Sequence, residues 1–139
     1  MISNANIRGA MRLSIALLYL AAGMVHLRSP APFVAITPDW VPYKDNVIFF
    51  TGCCEIAGAL GLLIPPFRKI AGMALALYAV CVFPANIKHA LDHIVLPGVP
   101  DTWWYHAPRF MAQPLLIWAT LYCVGLIDWP FRARLARQD

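Results

Sequence analysis

The sequence predicts an all-α fold, a polytopic membrane four-helix bundle forming one integral domain over residues 1–139. Two observations lead there. First, 60% of the residues are apolar and 13% are charged, against roughly a quarter charged in an ordinary soluble domain. A soluble fold built from this chain would leave large sticky patches in water. Second, the apolar residues fall in four runs, each close to the roughly 20 residues a helix needs to cross a bilayer. Helices satisfy their own backbone in lipid, so each run can cross alone.

In chain order the expected spans are about 8–27, 47–64, 70–90 and 109–129. Arg8 and Arg12 precede the first, as in a secretory leader. Ala21-Ala22-Gly23 is followed by Met24, Val25 and His26, which makes no convincing cleavage site, so an uncleaved first span is expected. The second span carries Gly52, Gly58 and Gly61, and the third Ala71, Gly72, Ala74, Ala76 and Ala79. Small residues of this kind let helices approach closely in lipid. Pro84 inside the third span removes a backbone donor and should kink the helix or free a carbonyl near Val80. Pro114 lies early in the fourth span, after Pro108 at its start.

Orientation follows from Lys and Arg in the short connections. With four spans, Arg8, Arg12, Arg68, Lys69, Arg132, Arg134 and Arg137 fall on one side, and Arg28, Lys44, Lys88 and Arg109 on the other. The larger, tighter set reads as cytoplasmic, which places both termini there. The net charge of +4 then needs only membrane lipids as partner, and no nucleic acid.

The outer face is the elaborate one. Its first loop, Arg28 to Asn46, holds Pro30, Pro32, Pro38 and Pro42, a density expected to exclude regular helix. The same loop holds Phe33, Val34, Ile36, Trp40, Val41 and Tyr43, and so should lie in the headgroup layer. The connection from about Lys88 to Pro108 adds Trp103, Trp104, Tyr105 and His106.

Polar groups converge on that half of the membrane. Glu55 lies about eight residues into the second span, roughly 12 Å from its outer end at 1.5 Å per residue. A carboxylate there is functional or paired. His26 ends the first span, Asn86 and His89 lie near the outer end of the third, and Arg109 and Gln113 share one face of the fourth. These residues are either a hydrogen-bonded clasp between helices or a site. Arg109 and His26 are both natural partners for Glu55, the first being preferred. His89 and His93, four apart with Asp92 between them and His26 within reach, could hold a metal, but Lys88 and Asp92 can simply pair, and no metal is expected. Cys53, Cys54, Cys81 and Cys123 form no CxxC and read as small buried residues. No phosphate loop or nucleophile elbow is present.

The residues also resemble the DoxX family of small bacterial membrane proteins. The likeness runs from Gly23 and His26 through Pro30, Phe33, Pro38 and Pro42. It is densest at Gly52, Glu55, Gly58, Leu62, Leu63 and Pro65, which match that family's Gly-x-x-Glu-x-x-Gly run. It resumes at Phe83-Pro84-Ala85-Asn86 and at Arg109, Gln113 and Trp118. Asp101 to Pro108 departs from the pattern. The resemblance implies a four-helix bundle in the bacterial cytoplasmic (inner) membrane and a role like that of a quinol oxidoreductase subunit.

Three functions stay open. One is a quinone-linked component of a membrane redox complex, in which Trp40, Trp103, Trp104 and Phe110 line a ring pocket and His26 or Glu55 exchanges protons. Asn86, His89, Arg109 and Gln113 would complete its ligand contacts. Electrons would have to come from a redox partner carrying flavin, haem or iron–sulfur. The second is an assembly or accessory protein for a larger membrane protein. The third is a small-molecule binder or transporter, which with four spans and no repeat would act as a homo-oligomer.

Overall fold

The structure, a computed structural model, describes residues 4–129. Five helices follow one another: α1 (Asn4–Arg28), α2 (Ala31–Ile36), α3 (Lys44–Leu63), α4 (Arg68–Leu91) and α5 (Trp103–Cys123). A 3₁₀ turn, Pro65–Phe67, links α3 to α4. No sheet forms among the described residues; Leu96 and Val99 make one isolated bridge around Gly98. The four long helices close into a ring in which α1 meets α3 and α5, and α4 meets α3 and α5.

α1, α3 and the 3₁₀ turn with α4 are long and apolar enough to cross a membrane. This makes the chain a multi-pass helical membrane protein. α5 falls short by composition because His106, Arg109 and Gln113 crowd its first half. It nevertheless runs antiparallel to α4 along the bundle: Arg109 meets His89 at one end, and at the other Val124 lies where a side chain on Gly72 would go. The start of α1 and the end of α5 share the inner end, where Arg12 donates to the Cys123 carbonyl (3.2 Å) and Arg8 pairs with Asp128. Arg132, Arg134 and Arg137 lie outside the described residues.

The core fills the inner half, where Ile15, Tyr19, Ala59, Leu62, Leu75 and Cys123 pack together. Their burial leaves the outer half for polar groups.

Two expectations are corrected. The proline-rich loop does contain a helix, α2, because Pro30 caps it and Pro32 lies in its first turn, where a missing N–H costs nothing. α5 spans 103–123 rather than 109–129. It starts early because the extended Thr102 offers its carbonyl to the amides of Tyr105 (2.9 Å) and His106 (3.1 Å). It stops early because Gly125, at φ 76°, sets a C-terminal cap: Gly125 N bonds Tyr122 O (3.1 Å) and Leu126 N bonds Leu121 O (3.0 Å). α4 ends at Leu91 and His93 is left-handed at φ 49°, so the chain leaves the helix before His93 and His89 and His93 do not share a helical face. α4 continues through Pro84 as one helix.

Candidate functional site

α1 and α3 cross antiparallel at two glycines. A side chain on Gly23 would lie 2.7 Å from the Gly52 carbonyl oxygen and 3.1 Å from Glu55 Cβ, and one on Gly52 would lie 3.0 Å from His26 Cβ. Each glycine therefore makes the hollow that seats the other helix's polar residue. His26 Nδ1 lies 2.9 Å from the Ala22 carbonyl, to which it donates, and 2.9 Å from Glu55 Oε2. The carboxylate lies against the ring, but Oε2 has no directed hydrogen bond from any described residue. Glu55 is 4% exposed. The imidazole stacks on Phe33 of α2, with centroids 3.8 Å apart.

The opposite wall comes from α4 and α5. Arg109 Nη2 donates to Asn86 Oδ1 (2.5 Å), and Arg109 Nη1 donates to His89 Nδ1 (2.9 Å). Asn86 Nδ2 donates to Gln113 Oε1 (3.0 Å), and Gln113 Nε2 donates to the Ala79 carbonyl (2.5 Å). That carbonyl is one residue before Val80, whose own helical donor Pro84 cannot supply. Gln113 thus ties α4 to α5 one turn before Pro84. Arg109 also lies over the Tyr105 ring at 5.0 Å. Because the guanidinium can only donate, His89 carries its proton on Nε2.

Beyond His89, the buried His106 places Nε2 3.1 Å from Asp101 Oδ1, and Asp101 Oδ2 lies 3.1 Å from His93 Nδ1. His106, and then His93, hold the Asp101 carboxyl below the usual carboxylate range.

Between the two walls lies a cavity of about 420 Å³. His26, Glu55, Asn86, Arg109 and Gln113 all line it, with Tyr19 and Tyr78 between them. The rest is apolar. Phe33, Ile36, Pro38, Trp40 and Val41 form its outer roof. The roof is tied down by two lysines. Lys44 and Lys88 reach Asp39 Oδ1 at 2.8 and 2.9 Å, and the Thr37 carbonyl at 3.0 and 3.3 Å. Hydrogen bonds from Lys44, then Lys88, hold the Asp39 carboxyl down at about 2.

Of the residues singled out from sequence, Trp40 edges this cavity, while Trp103, Trp104 and Phe110 lie outside it. Trp104 is 92% exposed. Trp103 and Phe110 pack on one another, and Phe110 on Phe83. The early start of α5 turns these rings away from the chamber. His89 sits behind Arg109 rather than on the cavity wall. Glu55 faces His26, and Arg109 takes neutral partners instead of the carboxylate. Tyr19, Tyr78 and the Asp39 tie went unnoticed in the sequence. Tyr19, Gly23 and His26 recur at helical spacing, a pattern that places all three on one face. Among the described residues, no group of three or more His, Cys, Asp or Glu is placed to hold a metal ion.

No curated protein and no solved structure matches the chain. One family model does, over residues 15–123, which reach from the first turns of the α1 core to the end of α5 and so contain every residue of the cavity wall. The chain belongs to that family, described as Domain of unknown function (DUF8561).

Proposed function

We propose that this protein crosses the bacterial cytoplasmic membrane four times, with both termini inside, and holds a quinone or quinol ring in its outer-half cavity. The observation that carries this reading is the His26–Glu55 pair opening onto a mainly apolar chamber, opposite Asn86, Arg109 and Gln113. Glu55 Oε2 lacks a donor among the described residues, and a buried acceptor in that state favours a ligand hydroxyl or a shared proton. Imidazole and carboxylate side by side are suited to take up the protons a quinol releases. Its electrons would pass to a separate membrane protein carrying flavin, haem or iron–sulfur, since the residues lining the cavity offer no electron carrier. The DoxX-like residues Gly23, His26, Gly52, Glu55, Asn86, Arg109 and Gln113 support the reading, because all but the two packing glycines line the chamber.

The test is binding of a short-chain benzoquinone to detergent-purified protein, read by tryptophan quenching. Saturable quenching is expected. It should shrink in Trp40→Phe, and affinity should fall about tenfold, or 1.4 kcal/mol, in His26→Gln. Absence of saturable binding, together with no quinone in an organic extract of the purified protein, would remove this reading. The second reading, an accessory protein for a larger membrane protein, draws on the rim of exposed rings at Trp40, Tyr43 and Trp104. A stoichiometric partner lost on Trp104→Ala would select it.

A further inference from the structure

A guanidinium at membrane depth is expensive unless a counter-charge meets it. Arg109 has no carboxylate at ion-pair distance among the described residues. Glu55 is engaged by His26, and Asp101 by His93 and His106. The acceptors that Arg109 does have, His89 Nδ1 and Asn86 Oδ1, are neutral. Two of its five N–H donors are thereby used, and the Tyr105 ring faces it at 5.0 Å, but no carboxylate meets the charge among the described residues.

The same guanidinium also closes one end of a second space, a groove of about 500 Å³ between α1 and α5. Leu18, Leu115, Leu116 and Ala119 form its walls. Leu18 and Leu115 are 54% and 60% exposed, so the groove faces lipid. Its shape is a polar head with an apolar track running toward the bilayer centre.

Depth decides which anion fits. Trp103 and Trp104, exposed on the first turn of α5, mark the interface. Arg109 lies six residues further in, roughly 9 Å at 1.5 Å per residue. Asn86 and His89 hold it there, so it does not extend outward to the headgroups as a free arginine would. A phosphodiester stays at the level of the aromatic belt. The carboxylate of a single-chain acid can sink below it.

We propose that the α1–α5 groove binds a long-chain fatty acid from the outer leaflet, its carboxylate on Arg109 and its chain along Leu18, Leu115 and Leu116. The groove shares Leu18, Asn86, Arg109, Gln113 and Leu116 with the ring-binding chamber, while Ala112, Leu115 and Ala119 line the groove alone.

The experiment uses full-length protein in non-ionic detergent and radiolabelled oleate. Saturable binding is expected, weakened at least tenfold by Arg109→Gln and by Ala112→Trp, which fills the groove alone, one turn beyond the guanidinium, and leaves the charge. Should Arg109→Gln fail to fold, Ala112→Trp decides, with its melting temperature as the check. Oleyl alcohol, which has the chain without the charge, should not displace oleate at tenfold excess. Displacement by the alcohol as readily as by oleate would overturn the proposal, as would unchanged binding in both variants. Displacement by phosphatidylglycerol at equal concentration would overturn it too, assigning the guanidinium to a headgroup phosphate.

Discussion

His26 and Glu55 meet because each rests over the other's glycine. Single changes at a buried pair mix lost attraction with a stranded partner. A double-mutant cycle separates them. Glu55→Gln, His26→Gln and the double variant, compared by detergent melting, should show a coupling of about 0.5–3 kcal/mol. Strict additivity would mean that the 2.9 Å approach carries no energy. The depth of Glu55 was legible from its apolar neighbours. Its partner was not, because spacing along a chain says nothing of how two helices are rotated against each other. The glycines at 23 and 52 hold that information, but only once the crossing is known.

At the scale of elements, the outer roof is the least anchored part. α2 is six residues long and far too short to be stable alone. It is held by the Phe33–His26 stack and by Asp39 between Lys44 and Lys88. The Asp39 carboxyl is depressed in the folded protein, so its contribution is complete above the ordinary value of 3.8 and disappears as pH falls through about 2. Between pH 5 and 8 the tie should therefore be indifferent to pH. Salt is the effective lever, since Asp39 is exposed and screening acts on it directly. In a cysteine-free background, a thiol at Thr37 should label faster in Asp39→Asn than in the parent, and faster in the parent at 1 M salt. Equal rates throughout would show that the lysines do not hold the roof. The boundaries of α5 show why local reading failed here. A hydropathy run continues to Trp129, yet one left-handed glycine at 125 stops the helix at Cys123.

For the whole molecule, four long helices and an elaborate outer face were readable from composition and run length. Side assignment is subtler. Among the described residues the two faces carry equal numbers of cations: Arg8, Arg12, Arg68 and Lys69 against Arg28, Lys44, Lys88 and Arg109. The inward bias thus rests on Arg132, Arg134 and Arg137 in the sequence. Outer Lys44 and Lys88 are also partly neutralised by Asp39. With four crossings, a thiol at Asp101 should react only with reagent outside the cell and one at Lys69 only after access to the cytoplasm. Labelling of both from one side would refute the map.

The ring closes between its first and last long helices. Arg12 reaches the carbonyl of Cys123, 111 residues on, and Arg8 reaches Ile127 and Asp128. During synthesis α1, α3 and α4 can therefore pair as they emerge, while the seam at α5 has to wait for the ribosome to finish with that helix. Until then Asn86 has neither Arg109 nor Gln113, and Ala79 offers a carbonyl that no side chain has yet claimed. Until α5 arrives, that flank of α4 therefore keeps polar groups that only α5 can satisfy.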